Sequence, residues 1–320
     1  MKKSFRTLLS LLAIAPAVAL AAYPDKPINM IVSYSPGGGT DLVARAIAPY
    51  IEKYLGNNAR IVIQNRPGAG GAIGFASLAT AAPDGYTIGF INTPNVMTIP
   101  IEREAGYTIE KFDTLGNIVD DPGNFSVHND SPVKSLKDLA AAAKANPGAI
   151  TVGTTGVGSD DHLATLLFSR IAGVKLNHIP MKGAADVKNG AVGRQIDVAA
   201  MNIGEAMQAA AGGSPLRQLG VMAARRSSVA PAVATFAEQG YAVEMSSLRG
   251  IAAPKGLPPE VKQQLVRAIE RAANDPEFQQ KAVQYFAPLR YLPPAEFDAY
   301  LRKADGEFRQ LWKEMPWGEK

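Results

Sequence analysis

The chain has 320 residues, is 47% hydrophobic, contains no cysteine and carries a formal charge of +4. Three of the four surplus positive charges, Lys2, Lys3 and Arg6, lie in the first 22 residues, so the rest is close to neutral. That balance, with no basic block, removes the main support for nucleic-acid binding. The missing thiols exclude disulfides, thiolate metal sites and a lipid-anchored cysteine.

At the N-terminus, the basic residues precede an apolar stretch over 8–20 and the small-x-small sequence Ala19-Leu20-Ala21. This is the pattern of a signal peptide over 1–22, cleaved near Ala21 or Ala22; the apolar run is too short for a membrane anchor. The expectation is export to the periplasm as a free, soluble monomer. The remaining chain exceeds the usual domain size of about 100–150 residues, which predicts two lobes.

Strand patterns fall at 29–33, 60–64, 87–91, 150–153, 176–180, 197–201, 219–222 and 250–253. Helical patterns begin near Thr40, Ala72, Ser135, Ser159, Ala184, Glu205, Pro259 and Pro294. This alternation predicts an α/β fold with mostly parallel sheets. Asp120-Asp121-Pro122-Gly123-Asn124 reads as a turn or a strand crossing between lobes, and Ser246-Ser247-Leu248-Arg249-Gly250 as the return crossing. The expected division is 23–122 with 250–320 for lobe 1 and 123–249 for lobe 2, with a cleft between them.

Three glycine-rich loops each follow a strand and open a helix. The first runs from Ser33 and Tyr34 through Gly37, Gly38 and Gly39 to Asp41; the second runs from Asn65 through Gly70, Gly71 and Ala72 to Gly74. Glycines let main-chain N–H groups approach a ligand, and helix N-termini favour negative charge. The two loops therefore predict a site that grips a small anion with backbone, and Val at Gly38 or Gly70 is expected to obstruct it. The third loop, 153–162, offers Thr154, Thr155 and Ser159 as hydroxyl donors.

Other chemistries fit less well. Gly68, Gly70 and Gly74 depart from the dinucleotide-binding spacing, and no G-x-S-x-G elbow makes Ser159 a nucleophile. The histidines, His128, His162 and His178, do not pair at helical spacing, so Asp160-Asp161-His162 reads as a helix start rather than a metal site. No cofactor, metal or catalytic residue is expected.

Taken together the motifs resemble one family, the periplasmic receptors of tripartite tricarboxylate transporters, or Bug receptors. The resemblance rests on Pro36 to Asp41, Asn65 to Gly74, Pro83 to Thr87, Ser135 to Leu139, Gly156 to Leu163, Lys182-Gly183 and Arg249 to Pro258, in that order. It implies a two-lobed, type II-like solute-binding fold, each lobe a mainly parallel sheet flanked by helices. It also implies a small organic carboxylate as ligand and a membrane complex of one large and one small subunit as partner. By the same resemblance, Gly37, Gly38, Gly39, Gly70, Gly71 and Ala72, with Tyr34 beside them, hold a ligand carboxylate through main-chain amides and ordered waters. Thr155 and Ser159 add hydroxyls, and Asn92, Met181, Asn202 and Arg249 set specificity. Leu248-Arg249 stands where many members have an aromatic pair, and Met181 where an aromatic is common. An arginine there suits a second carboxylate, which leans the expectation toward a di- or tricarboxylate of citrate type. A sensory receptor and, more remotely, an exported hydrolase are the alternatives.

Overall fold

The computed structural model describes residues 23–318; the expected signal peptide and its cleavage point lie outside the described residues. The first half runs β1 (Ile28–Val32), α1 (Gly39–Leu55), β2 (Ile61–Asn65), α2 (Ala72–Ala79), β3 (Thr87–Asn92) and α3 (Asn95–Glu102). A 17-residue strand, β4 (Phe112–His128), leads into the second half. There follow α4 (Leu136–Ala145), β5 (Thr151–Thr154), α5 (Asp160–Ala172), β6 (Asn177–Pro180), α6 (Ala184–Val192), β7 (Val198–Asn202), α7 (Ile203–Ala211) and β8 (Leu216–Val221). The chain returns through β9 (Ser246–Pro254) to α8 (Pro259–Ala273), α9 (Pro276–Gln284), β10 (Leu289–Leu292) and α10 (Pro294–Glu314).

The strand order is β2-β1-β3-β9-β4-β7-β5-β6, with β8 and β10 also paired to β4. The outer trios are parallel as the alternation predicts: β2-β1-β3 on one side, β6-β5-β7 on the other. The strands between them, β9 and β4, run antiparallel to each other and to their outer neighbours β3 and β7, so the sheet is mixed. Antiparallel geometry follows from the crossing itself, since a strand entering a half from the other half arrives against its direction.

The pairing of β4 changes partner inside the segment 120–124. It is registered with β9 through Pro122, against Ser246, and with β7 from Gly123, against Asn202. That segment is therefore a crossing strand rather than a turn. The segment 246–250, read as the return crossing, is the first part of β9 and pairs with β4 from Ser246 onward.

Helices cover both faces of each half. Val43, Ile47 and Ile51 of α1 lie on one stripe and pack with Leu265 and Ile269 of α8 against β1 and β3. The opposite face is closed by Phe75 of α2, Val96 and Ile99 of α3 and Phe297 and Leu301 of α10. Periodic apolar stripes of this kind are what drive helices onto a sheet. Helix starts follow cap chemistry: the hydroxyls of Ser135 and Ser159 accept the Asp138 and His162 N–H groups, both at 3.1 Å.

Three elements, α3, α9 and β10, escaped the sequence reading, and of β4 only 120–124 was read, as a turn or a crossing. Gly116, Pro122 and Gly123 hide β4, and β10 has only four residues. Helix α3 carries an internal Pro100, and α9 follows α8 after a break at Asn274-Asp275.

Where β9 passes under α10, Gly250 is fixed by space: a Cβ there would fall 2.2 Å from Phe297. Gly250→Ala is expected to cost about 1–3 kcal/mol, the usual range for overpacking a tight core. Urea unfolding would read this, and an unchanged midpoint would mean that Phe297 swings aside freely.

Candidate ligand-binding site

The carboxyl ends of β1, β3, β5 and β7 deliver their following loops to one cleft, the usual place for ligands in open α/β sheets. The first loop is braced before it reaches the cleft. Asp41 accepts the Gly37 N–H at 2.9 Å, the Asn65 amide at 2.9 Å and the Arg45 guanidinium at about 3 Å. Burial opposes the ionised form of Asp41, yet the donations from Arg45, Gly37 and Asn65 hold its carboxyl below the ordinary value. Asp41 and Asn65 are thus supports for the loop.

Three contacts draw the halves together over the cleft. The Ser35 hydroxyl donates to Asp186 at 2.8 Å, the Gly39 N–H to Glu205 at 3.0 Å and the Thr98 hydroxyl to the Gly158 carbonyl at 2.5 Å. A cavity of about 20 Å³, room for roughly one water, remains between Tyr34, Asn92, Thr155, Asn202 and Arg249. It shares Gly38, Gly39, Ala184 and Glu205 with a second space of about 200 Å³, which is also lined by Gly37 and Lys188.

Arg249 is the hub. The residue is 2% exposed, and its Nη2 donates to Asp121 Oδ2, Asn202 Oδ1 and Glu205 Oε1, each at 3.0 Å. Each acceptor is held in turn. Asp121 Oδ1 accepts the Gly204 N–H at 3.0 Å. The Asn202 amide donates to the Asp121 carbonyl at 2.8 Å and to Asp160 at 2.6 Å. Glu205 Oε2 accepts the Asn202 N–H at 3.2 Å, the reach-back half of a capping box.

Charge is unbalanced here. Asp121, Asp160 and Glu205 act on one guanidinium, and Asp161 is buried beside Asp160. Burial, with the Glu205 charge adding to it, pushes the Asp121 carboxyl up to about 7 against the pull of Arg249. Burial likewise raises Asp160 and Asp161. Burial works against the charged form of Arg249, but Glu205, Asp121 and Asp160 overcome it and raise its pKa. One guanidinium cannot hold all these acids ionised out of water.

Of the residues expected at the site, Tyr34, Gly38, Gly39, Asn92, Thr155, Asn202 and Arg249 line the small cavity, and Gly37 lines the adjoining space. Gly70, Gly71, Ala72, Ser159 and Met181 are not among the lining residues. Gly70 and Gly71 stand just behind the wall, near Asn95 and the Tyr34 hydroxyl. The Ser159 hydroxyl caps α5, and His162 accepts the Gly158 N–H and stacks on His178 at 3.8 Å, so the two form no nucleophile–base pair. Met181 turns into the second half's core against Gly190. The steric expectation moves as well: a Cβ at Gly38 meets only ordinary contacts, whereas one at Gly39 would fall 2.1 Å from Arg249 and 2.4 Å from Glu205.

The sequence reading missed Thr40, Asn95, Asp160, Ala184, Glu205 and Ser247 in the wall. The spacing of Asn202 and Glu205, a capping-box signature, was the available signal for one of them.

An α/β fold with a walled polar cleft between two sheet halves defines a solute-binding receptor. Residues 43–286 match the family described as Tripartite tricarboxylate transporter family receptor, TctC, and the chain belongs to that family. BugT from Bordetella pertussis is 34% identical over 267 residues, covering 81% of this chain and 80% of BugT. The solved periplasmic binding protein BugD is 30% identical with a TM-score of 0.86, covering 93% of this chain and all of BugD. R. palustris Rpa4515, solved with adipate, is 26% identical with a TM-score of 0.85, covering 91% and 97% of the two chains.

The acid cluster gives a pH signature. The fold favours the protonated form of Asp121, whose ordinary pKa of 3.8 rises to about 7. Its contribution to stability is full below about pH 4 and is lost as the pH rises to about 7. Burial depresses His162 and His178 to about 3 and about 4, and they act in the opposite sense, losing stability as the pH falls from 6.5. Comparison with Asp121→Asn isolates the carboxyl: the melting temperature of the variant is expected to rise relative to wild type between pH 4.5 and 7.5. Parallel melting curves across that range would refute the raised pKa.

Proposed function

We propose that this chain is a periplasmic receptor that captures a small organic carboxylate without turnover and delivers it to a membrane complex of one large and one small subunit. The carrying observation is the carboxylate of Glu205, held by the Gly39 N–H at the start of α1 and by Arg249. A carboxylate group is thus already accommodated there by the donors that a ligand carboxylate would use, in a low-dielectric setting where charge-assisted bonds are strong. The adipate in R. palustris Rpa4515 supports the same ligand class.

Binding proceeds by population shift between an open and a closed form. The moving bodies are 23–122 with 250–320, and 123–249; bending falls in β4 and β9, and the three contacts across the cleft break on opening. A di- or tricarboxylate of citrate type is the finer form of this reading, and its second carboxylate would have to displace Glu205 from Arg249. A sensory receptor would use the same closure; loss of solute uptake in a deletion strain favours transport.

A thermal-shift screen of the purified protein against mono-, di- and tricarboxylates and amino acids tests the reading. A ligand at 100 times its Kd adds about 2.7 kcal/mol of stability, which is a rise of several degrees. Gly39→Ala is expected to keep cooperative unfolding and lose the shift, because its Cβ intrudes between Arg249 and Glu205. A shift retained in Gly39→Ala would place the ligand elsewhere.

A further inference from the structure

Resting on the reading that the two halves open and close over a ligand, we infer that the space behind the crossing strands, between α10 and the segments 222–224 and 244–245, is the stop that limits opening. Filling it holds the receptor nearer its closed form and tightens ligand binding from outside the ligand cleft.

Strand alternation places this space. Successive side chains of a strand point to opposite faces. Asn92, Ser247 and Arg249 line the ligand cavity, and Asp121 meets Arg249 on that side. Their chain neighbours Thr93, Asp120, Pro122 and Ser246 line a separate space of about 310 Å³. Pro122 and Ser246 are paired across β4 and β9, one residue before β4 changes partner. The space therefore lies directly behind the bend. Leu248, the next residue of β9 on this face, packs in one apolar cluster with Phe297 and Leu301, so the face is the one that α10 covers.

The side walls of the space belong to different halves. Tyr300 and Phe308 come from α10, whereas Met222, Ala224 and Met245 come from the second half. On the cleft side the halves are drawn together by the Ser35–Asp186, Gly39–Glu205 and Thr98–Gly158 contacts. A bend in two adjacent strands that parts the halves on one face brings them together on the other. Opening the cleft thus carries Met222 and Met245 toward Tyr300 and Phe308, and it ends when these walls meet, because packed side chains resist overlap.

Ala224 is exposed and stands in the wall, so Ala224→Trp fills the space without disturbing a core. Ala223→Trp is a second wedge, Ala224→Ser the control, and Phe308→Ala enlarges the space. Small-angle scattering of the purified proteins without added acid, and calorimetric titration with adipate, citrate and glutamate, read the effect. The tryptophan variants should show a smaller radius of gyration than wild type. They should bind whichever of these acids wild type binds about five- to tenfold more tightly, the gain open to them when the closed form is a minor population. Phe308→Ala should move both quantities the other way and Ala224→Ser neither; the tryptophan variants decide alone if Phe308→Ala does not fold. Tryptophan variants that bind no more tightly, while an acid contracts wild type, would overturn the stop and leave closure over a ligand intact. If none of the three acids binds or contracts wild type, the closure reading and this inference fail together.

Discussion

A guanidinium almost wholly removed from water needs counter-charge and acceptors at fixed positions. At Arg249 these come from separate parts of the chain: Asp121 from β4, Asn202 at the end of β7 and Glu205 from α7. Arg249 itself sits on β9, in register with Asn92 of β3. The pair thus ties both crossing strands to both outer trios. Removing one partner of such a buried pair typically costs about 3–5 kcal/mol, because the other charge is left uncompensated. The cleft is built around this knot: the first loop meets it through the Gly39 N–H and the third through Asp160.

The same knot governs the electrostatics. A receptor for anions is expected to be basic where it binds, yet this cleft holds more carboxyls than cations. The near-neutral total charge of the chain beyond residue 22 conceals that local excess. Main-chain N–H groups and a helix N-terminus can hold an anion without net charge.

Much of this was legible in the sequence because it depends on local chemistry. The glycine loops, the serine caps at 135 and 159 and the proline starts of α8 and α10 are short-range signals, and all lie where the spacing puts them. What stayed hidden depends on distant contacts. Nothing near Glu205 tells that its carboxylate meets Gly39, whose N–H is 166 positions earlier in the chain. Asp160 reads as a helix-dipole residue and also serves as one, while its burial beside Asn202 is a product of the fold. Met181, expected at the site by motif, lies half-buried with its side chain packed on the second half's core beside Gly190. Most of strand β4 was obscured by Gly116, Pro122 and Gly123, which mark the bulges and partner change of a strand that serves both halves of the sheet.

The arrangement of β4 and β9 has a consequence for the order in which the chain acquires structure. The second half is continuous in sequence: the later part of β4 pairs with β7 and β8, all made before residue 222. The first half is not. Its parallel trio needs β9 beside β3, and its two apolar faces need Leu265, Ile269 and Phe278 on one side and Phe297 on the other, which come last. Contacts so far apart are slow to form because a long loop must close first. As the chain emerges, the inserted half can therefore condense early, while the segment made first waits for the segment made last.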